Sequence, residues 1–145
     1  MKKNKQGFTL IELLVVIAII GLLSTLSIVA LNQARARSRD ARRLADVKQI
    51  QTALEMYYND YNAYPSSLAS GDSIGTGTNI YMATVPTAPT PADGTCTATN
   101  NGYSYTSTQL GTVPNSSYNI SYCLGTAAGG VTAGIKKASP SGIAQ

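Results

Sequence analysis

The sequence predicts an α+β fold, with one long N-terminal helix packed on a small antiparallel β-sheet. Three observations predict it. Residues 13–31, LLVVIAIIGLLSTLSIVAL, carry neither charge nor proline. Beyond them Leu44, Val47, Ile50, Leu54, Tyr57 and Tyr61 recur at steps of three or four, the spacing of one helical face. After Pro65 the composition shifts to Ser, Thr, Gly, Ala and Pro, and short stretches alternate apolar with polar residues, as half-buried strands do.

No helix breaker lies between Gly21 and Pro65, so one helix is expected from Phe8 to Tyr61. Its first half is apolar all round, and its second half carries the single stripe. The nineteen uncharged residues span about 28 Å at 1.5 Å each, close to the hydrocarbon thickness of a bilayer. Tyr64-Pro65 is expected to end the helix, because a residue before proline is pushed out of the helical region. Residues 66–102 read as a loop with a short strand at 80–85, after which Pro86, Pro89 and Pro91 prevent regular pairing. Asn101-Gly102 marks a turn.

Residues 103–124 read as a β-hairpin. Tyr103 and Tyr105 share a face, and Tyr118, Ile120, Tyr122 and Leu124 alternate with Asn119, Ser121 and Cys123. The tyrosine face is expected on the helix stripe, with Cys123 pointing the other way, toward the loop of Cys96. Residues 131–135 are a candidate strand, and residues 136–145 are expected to lie loose.

Composition narrows the function. Eleven Lys and Arg against seven Asp and Glu give a net charge of +4, but Lys2, Lys3 and Lys5 lie in the first seven residues. The basicity therefore belongs mainly to the leader and does not mark the body as a polyanion binder. There is no histidine, and after Asp60 the only acids are Asp72 and Asp93, at a spacing that fits no calcium loop. No metal, cofactor or catalytic constellation is expected, and the chain does not read as an enzyme. Cys96 and Cys123 read as one disulfide staple of a small extracytoplasmic domain, the alternative being two free buried thiols. A plain count of flanking cations puts Arg35, Arg37, Arg39, Arg42 and Arg43 in the cytoplasm, against the cysteines.

Glu12, at the head of the apolar run, needs explaining. An acid at the centre of a membrane helix costs about 2.5–3.5 kcal/mol, and less near the interface. Either its charge meets a partner, or it is an interfacial acid favoured by the dipole of the helix N-terminus.

GFTLIELLVVIAIIGLL, preceded by a basic leader, resembles the processing and methylation signature of type IV pilins and of the major, G-type pseudopilins of type II secretion. DVKQIQTALEMYYNDYNAYP resembles the end of their long helix; the resemblance covers residues 1–65. It implies a pilin-like fold of four parts: a leader 1–7, a transmembrane and filament-core helix 8–31, an amphipathic helix 32–64, and a small β-rich domain 65–145 with a flexible tail. It implies cleavage between Gly7 and Phe8 by a prepilin peptidase, N-methylation of Phe8, and export of the body past a cytoplasmic leader, which settles the orientation for the cysteines. Glu12 would then meet the Phe8 amine of a neighbouring copy and fix the register of assembly. The implied partners are copies of itself in a helical filament, the peptidase, an inner-membrane assembly platform, and lipid before assembly. The implied location is a single pass in the cytoplasmic membrane, then an extracytoplasmic filament at the cell surface.

The pattern departs from the family where Ala88 stands for an aspartate before the second proline of a Val85-Pro86…Pro89 segment, and the apolar helix half lacks a proline. Any loosening on assembly is expected at residues 21–27. The arginines of residues 35–43 are expected to pair with Asp40, Asp46, Glu55 and Asp60 of other copies and with lipid headgroups, rather than with DNA. A minor pilin serving adhesion or DNA uptake is the alternative function; a membrane-anchored enzyme or binding protein is less favoured.

Overall fold

The computed structural model describes residues 7–111 and 113–144. They fall into two compact units, one up to Arg35 and one from Ala36 onward. Helix α1, Leu10–Tyr61, contributes to both. One long N-terminal helix and small antiparallel sheets make this the α+β class expected.

In the first unit every described residue is exposed. Ile17 is 61% and Leu26 63% accessible, so the apolar run has no cover among the described residues. Helix continues without a break through residues 21–27. There Ser24, Thr25 and Ser27 donate their hydroxyls to the carbonyls of Ile20, Leu22 and Leu23 at 2.7, 2.8 and 2.8 Å. These bonds satisfy the only polar side chains of the run without a partner outside it.

In the second unit α1 buries Leu44, Val47, Ile50, Ala53 and Leu54. They join Tyr64, Ile74, Val85, Tyr118, Ile120, Tyr122, Leu124, Val131 and Ala138 in one core. Each large side chain so buried contributes about 1.5–3 kcal/mol. The helix ends at Tyr61, as expected, but Asn62 rather than the proline closes it. Asn62 takes the left-handed conformation, φ 52°, and its N–H bonds the Tyr58 carbonyl at 2.8 Å. Asparagine tolerates that conformation and closes the helix three residues before Pro65 has any effect.

Strand β1, Ile74–Thr76, pairs antiparallel with β2, Asn79–Met82, across a turn where Gly77 has φ 60°. A loop was the expectation for β1, since three residues are too short to show a period. A four-stranded antiparallel sheet has the order β3-β4-β5-β6. Its hairpin is the expected one: β3, Ser104–Leu110, pairs with β4, Val113–Leu124, placing Ser107 opposite Tyr118 and Tyr105 opposite Ile120. Strand β5, Gly134–Ser139, begins near the end of the segment expected at 131–135 and runs through Lys136 and Lys137. Strand β6, Gly142–Ile143, follows. So residues 136–143, expected outside the sheet, are mostly paired. The segment is short of large apolar residues, and only Ala138 of β5 is buried, so its burial pattern is nearly invisible in the sequence.

The connection from β2 to β3 has no regular structure, and polar contacts hold it. Arg43 is fully buried. Its Nη1 donates to Asp40 at 2.7 Å and to Asp93 at 3.3 Å. Its Nη2 donates to the carbonyls of Pro89 and Pro91 at 2.9 and 3.1 Å and to Asn101 Oδ1 at 2.7 Å. Arg39 grips Asp93 with two bonds, 2.6 and 2.5 Å. Asp40 accepts from the Gly125 and Thr126 amides at 3.0 and 2.7 Å and from the Thr126 hydroxyl at 2.7 Å. The backbones at Gly94 and Gly125 approach so closely that a Cβ on Gly94 would strike the Gly125 carbonyl. Cys96 and Cys123 form a disulfide that ties this connection to β4. Closing a loop of this separation, 27 residues, contributes about 3–4 kcal/mol in the chain-entropy model.

Tyrosines fill much of the remaining core. Tyr58 stacks on Tyr64 and Tyr64 meets Tyr118 edge-on, with centroids 4.6 and 4.7 Å apart. Their hydroxyls find carboxylates: Tyr64 and Tyr118 donate to Glu55 at 3.0 and 3.3 Å, Tyr103 to Asp46 at 2.8 Å, and Tyr81 to Asp60. Tyr122 is the exception, its hydroxyl buried without a partner among the described residues.

Three expected outcomes follow from this packing. Arg43→Ala should destabilise the second unit by about 3–5 kcal/mol, because it leaves buried Asp40 without its counter-charge and the Pro89 and Pro91 carbonyls without the guanidinium donor; denaturant unfolding followed by near-UV tyrosine signal measures it. The bonds from Arg39, with those from Arg43, hold Asp93 below the ordinary carboxylate range despite its burial. That stability is complete above about pH 4 and is lost as pH falls through the depressed value. At the alkaline end the sign reverses. The hydrogen bond to Asp60 pushes Tyr81 up to about 12, and burial, with the bond to Asp46, raises Tyr103 further. Stability should hold to about pH 10, the ordinary phenol value, and fall as pH climbs beyond it. Tyrosinate absorbance of the folded chain should lag that of the unfolded chain over the same range.

Candidate functional site

The site begins at the N-terminal edge of α1. Gly7 and Phe8 are exposed, Phe8 at 77%, and precede the first helical residue, Leu10. Their peptide bond is therefore open to a protease. The leader lysines, Lys2, Lys3 and Lys5, lie outside the described residues.

Thr9 and Glu12 close on each other. The Thr9 N–H donates to Glu12 Oε2 at 2.8 Å, and the Thr9 hydroxyl to the same oxygen at 2.6 Å. In return the Glu12 N–H donates to Thr9 Oγ1 at 3.3 Å. The Leu13 N–H reaches the Thr9 carbonyl at 3.3 Å and starts the helical ladder. This is a capping box, in which a hydroxyl at the N-cap and a carboxylate three residues on satisfy each other's otherwise unbonded amides. Its sequence signature, Thr-x-x-Glu before an apolar run, was legible at Thr9 and Glu12 and gives Thr9 a role that sequence reasoning missed. Both bonds to the carboxylate fall on Oε2. Oε1 accepts none among the described residues, so the carboxylate keeps a free oxygen while capping its own helix.

The other predicted pair, Cys96 and Cys123, lies in the second unit and bridges the connection to β4. The arginine cluster divides. Arg39 and Arg43 pair inside the chain, with Asp93 and Asp40. Asp40 and Asp46, expected to meet other copies, are buried. Sequence could not show this, because Asp93 and Arg39 are 54 residues apart. Among the described residues no group of three His, Cys, Asp or Glu is placed to hold a metal.

Thr9→Ala should remove the cap at a cost of about 1 kcal/mol to the first turn. Amide hydrogen exchange of the chain in detergent should then quicken over residues 10–13, while the second unit is unchanged.

Residues 2–28 match the family model described as the prokaryotic N-terminal methylation motif. The chain is 33% identical over 73 residues to type II secretion system core protein G of Aeromonas hydrophila, covering 50% of this chain and 51% of that protein. It is 32% identical over 99 residues to fimbrial protein EcpC of Eikenella corrodens, covering 68% and 65%. It is 44% identical over 73 residues to the type IV wide pilus major component PilA4 of Thermus thermophilus, covering 50% and 56%. The chain thus spans between about half and two thirds of the length of these three relatives. No solved structure matches it. A helix apolar and long enough to cross a membrane begins at Leu10, inside the matched residues, and fits a single-pass anchor. The chain carries a prokaryotic N-terminal methylation motif, and its homologues are type II secretion core protein G and the type IV pilins.

Proposed function

We propose that this chain is a structural subunit of a type IV pilus-like or type II secretion pseudopilus filament. The observation that carries the reading is the head of α1: an exposed Gly7–Phe8 bond, a capped Glu12 with one free carboxylate oxygen, and an apolar run with no cover of its own. Before assembly the run crosses the cytoplasmic membrane, with residues 1–7 inside and the disulfide-bearing unit outside. A prepilin peptidase cuts after Gly7 and methylates the new amine of Phe8.

Assembly moves the run from lipid to the centre of a polymer of identical chains. Apolar side chains exchange lipid contacts for contacts with each other, so burial alone sets no register. The charges set it. A Phe8 amine entering the polymer meets Glu12 of a neighbour, and only one axial offset satisfies both. The free Oε1 receives the amine, so the neighbour's cap need not break. A head-to-tail contact of this kind does not close, and it generates an open filament. The Cys96–Cys123 staple and the buried Arg43 cluster keep the second unit folded outside the membrane.

Intact mass of the chain from a peptidase-competent host should correspond to a start at a methylated Phe8. A chain still beginning at Met1 would sink the reading. Glu12→Ala should be processed normally yet yield filaments about tenfold or more below wild type by electron microscopy, because an incoming amine is left unpaired.

A further inference from the structure

The sequence crowds five arginines into residues 35–43, and the fold sorts them into two sets. Arg43 is buried with Asp40, and Arg39 is bound to Asp93. Arg35, Arg37 and Arg42 are exposed and have no hydrogen bond or ion pair among the described residues. The acids that could balance them are engaged elsewhere. Asp40, Asp46 and Asp93 are buried. Half-buried Glu55 receives the hydroxyls of Tyr64 and Tyr118. Of the exposed acids among the described residues, Glu12 caps α1, Asp60 receives Tyr81, and Asp72 receives the Ala69 amide. A second copy of this chain therefore offers few free carboxylates to the three arginines.

We propose that Arg35 and Arg37, reinforced by Arg42, bind the phosphates of anionic phospholipid in the leaflet from which the chain emerges. This rests on reading residues 13–31 as a membrane span. Arg35 follows Leu31 by four residues, about 6 Å of helix, which places it in a headgroup layer of roughly 5–8 Å per leaflet. Arg37 comes two residues later. Side chains on a helix lean toward its N-terminus, so those just past the span lean back toward the bilayer. The guanidinium fork matches phosphate oxygens two at a time. Around α1, at 3.6 residues per turn, Arg37 lies about 160° from Arg35 and about 140° from Arg42, whereas Arg35 and Arg42 share a face. A flat or rod-like partner therefore meets at most two of the three, whereas lipid surrounds the helix. This disfavours duplex DNA, which draws on cations gathered along one side.

The test uses the full chain in phosphatidylcholine vesicles containing a trace of spin-labelled phosphatidylglycerol or spin-labelled phosphatidylcholine. The fraction of label immobilised by the protein is measured. Wild type should prefer the anionic lipid by roughly fivefold, and salt should weaken the preference. Arg35→Gln with Arg37→Gln should abolish most of it, Arg42→Gln should remove less, and replacement of all three by lysine should retain most. Arg39 and Arg43 are untouched, so these variants keep the buried cluster. Equal lipid preference in wild type and the double variant would overturn the proposal, as would a loss in Arg42→Gln matching that of the double variant. Arginine-dependent binding of added duplex DNA without any lipid preference would assign the cations to nucleic acid and overturn it too. Vesicle flotation separates the two readings. A chain that does not float with vesicles defeats the membrane span itself, whereas one that floats without lipid preference defeats only the headgroup site.

Discussion

The guanidinium of Arg43 is the interaction on which the second unit depends. A fully buried cation costs several kcal/mol in lost hydration, and the cost is offset only where oxygens surround it. Five oxygens do so, from Asp40, Asp93, Pro89, Pro91 and Asn101. Four of them belong to the connection between β2 and β3, a segment with too many prolines to build a ladder of its own. Proline has no N–H, so a proline-rich segment is short of donors for its carbonyls, and Arg43 supplies the donors. Asp40 does the reciprocal work, accepting the amides of Gly125 and Thr126 just beyond β4. One turn of α1 thus fixes two irregular segments, and the Cys96–Cys123 bond ties the first of them covalently to β4.

That arrangement changes what the surface carries. Burying Asp40, Asp46 and Asp93 withdraws three of the seven acids from the exterior. A stretch that looks mixed in charge when read as letters becomes cationic on the outside. Contacts between copies, expected to run through Asp40 and Asp46, have to use other groups, and the membrane becomes the natural counter-charge beside the apolar run. Folding and surface chemistry are coupled here through the same few residues.

At the other end of α1, Glu12 has a local task besides the one proposed for it in assembly. Its bonds to Thr9 close the first turn. An acid at the edge of an apolar run is tolerated because it satisfies the Thr9 amide at the open end of the helix. The dipole explanation and the partner explanation are therefore not rivals. One carboxylate oxygen serves the helix and leaves the other for a neighbour.

Much was legible in the sequence because it is local or periodic. The apolar run, the stripe from Leu44 to Tyr61, the alternation from Tyr118 to Leu124 and the Gly7–Phe8–Glu12 head are repeats or short motifs, and local physics suffices to read them. The capping box belongs with them, its Thr-x-x-Glu spacing being plain. The helix stop at Asn62 was harder, since asparagine ends a helix only when its backbone turns left-handed. Strands β5 and β6 were hidden because glycine, alanine and serine carry little hydrophobic contrast. What only the tertiary structure decided is the fate of the charges. Whether an arginine faces water or lies buried depends on an aspartate fifty residues away, and no period or motif connects the two. The sequence by itself determined an apolar-headed helix that carries a methylation motif and a small β-domain; folding decided which of its charges remain available to a partner.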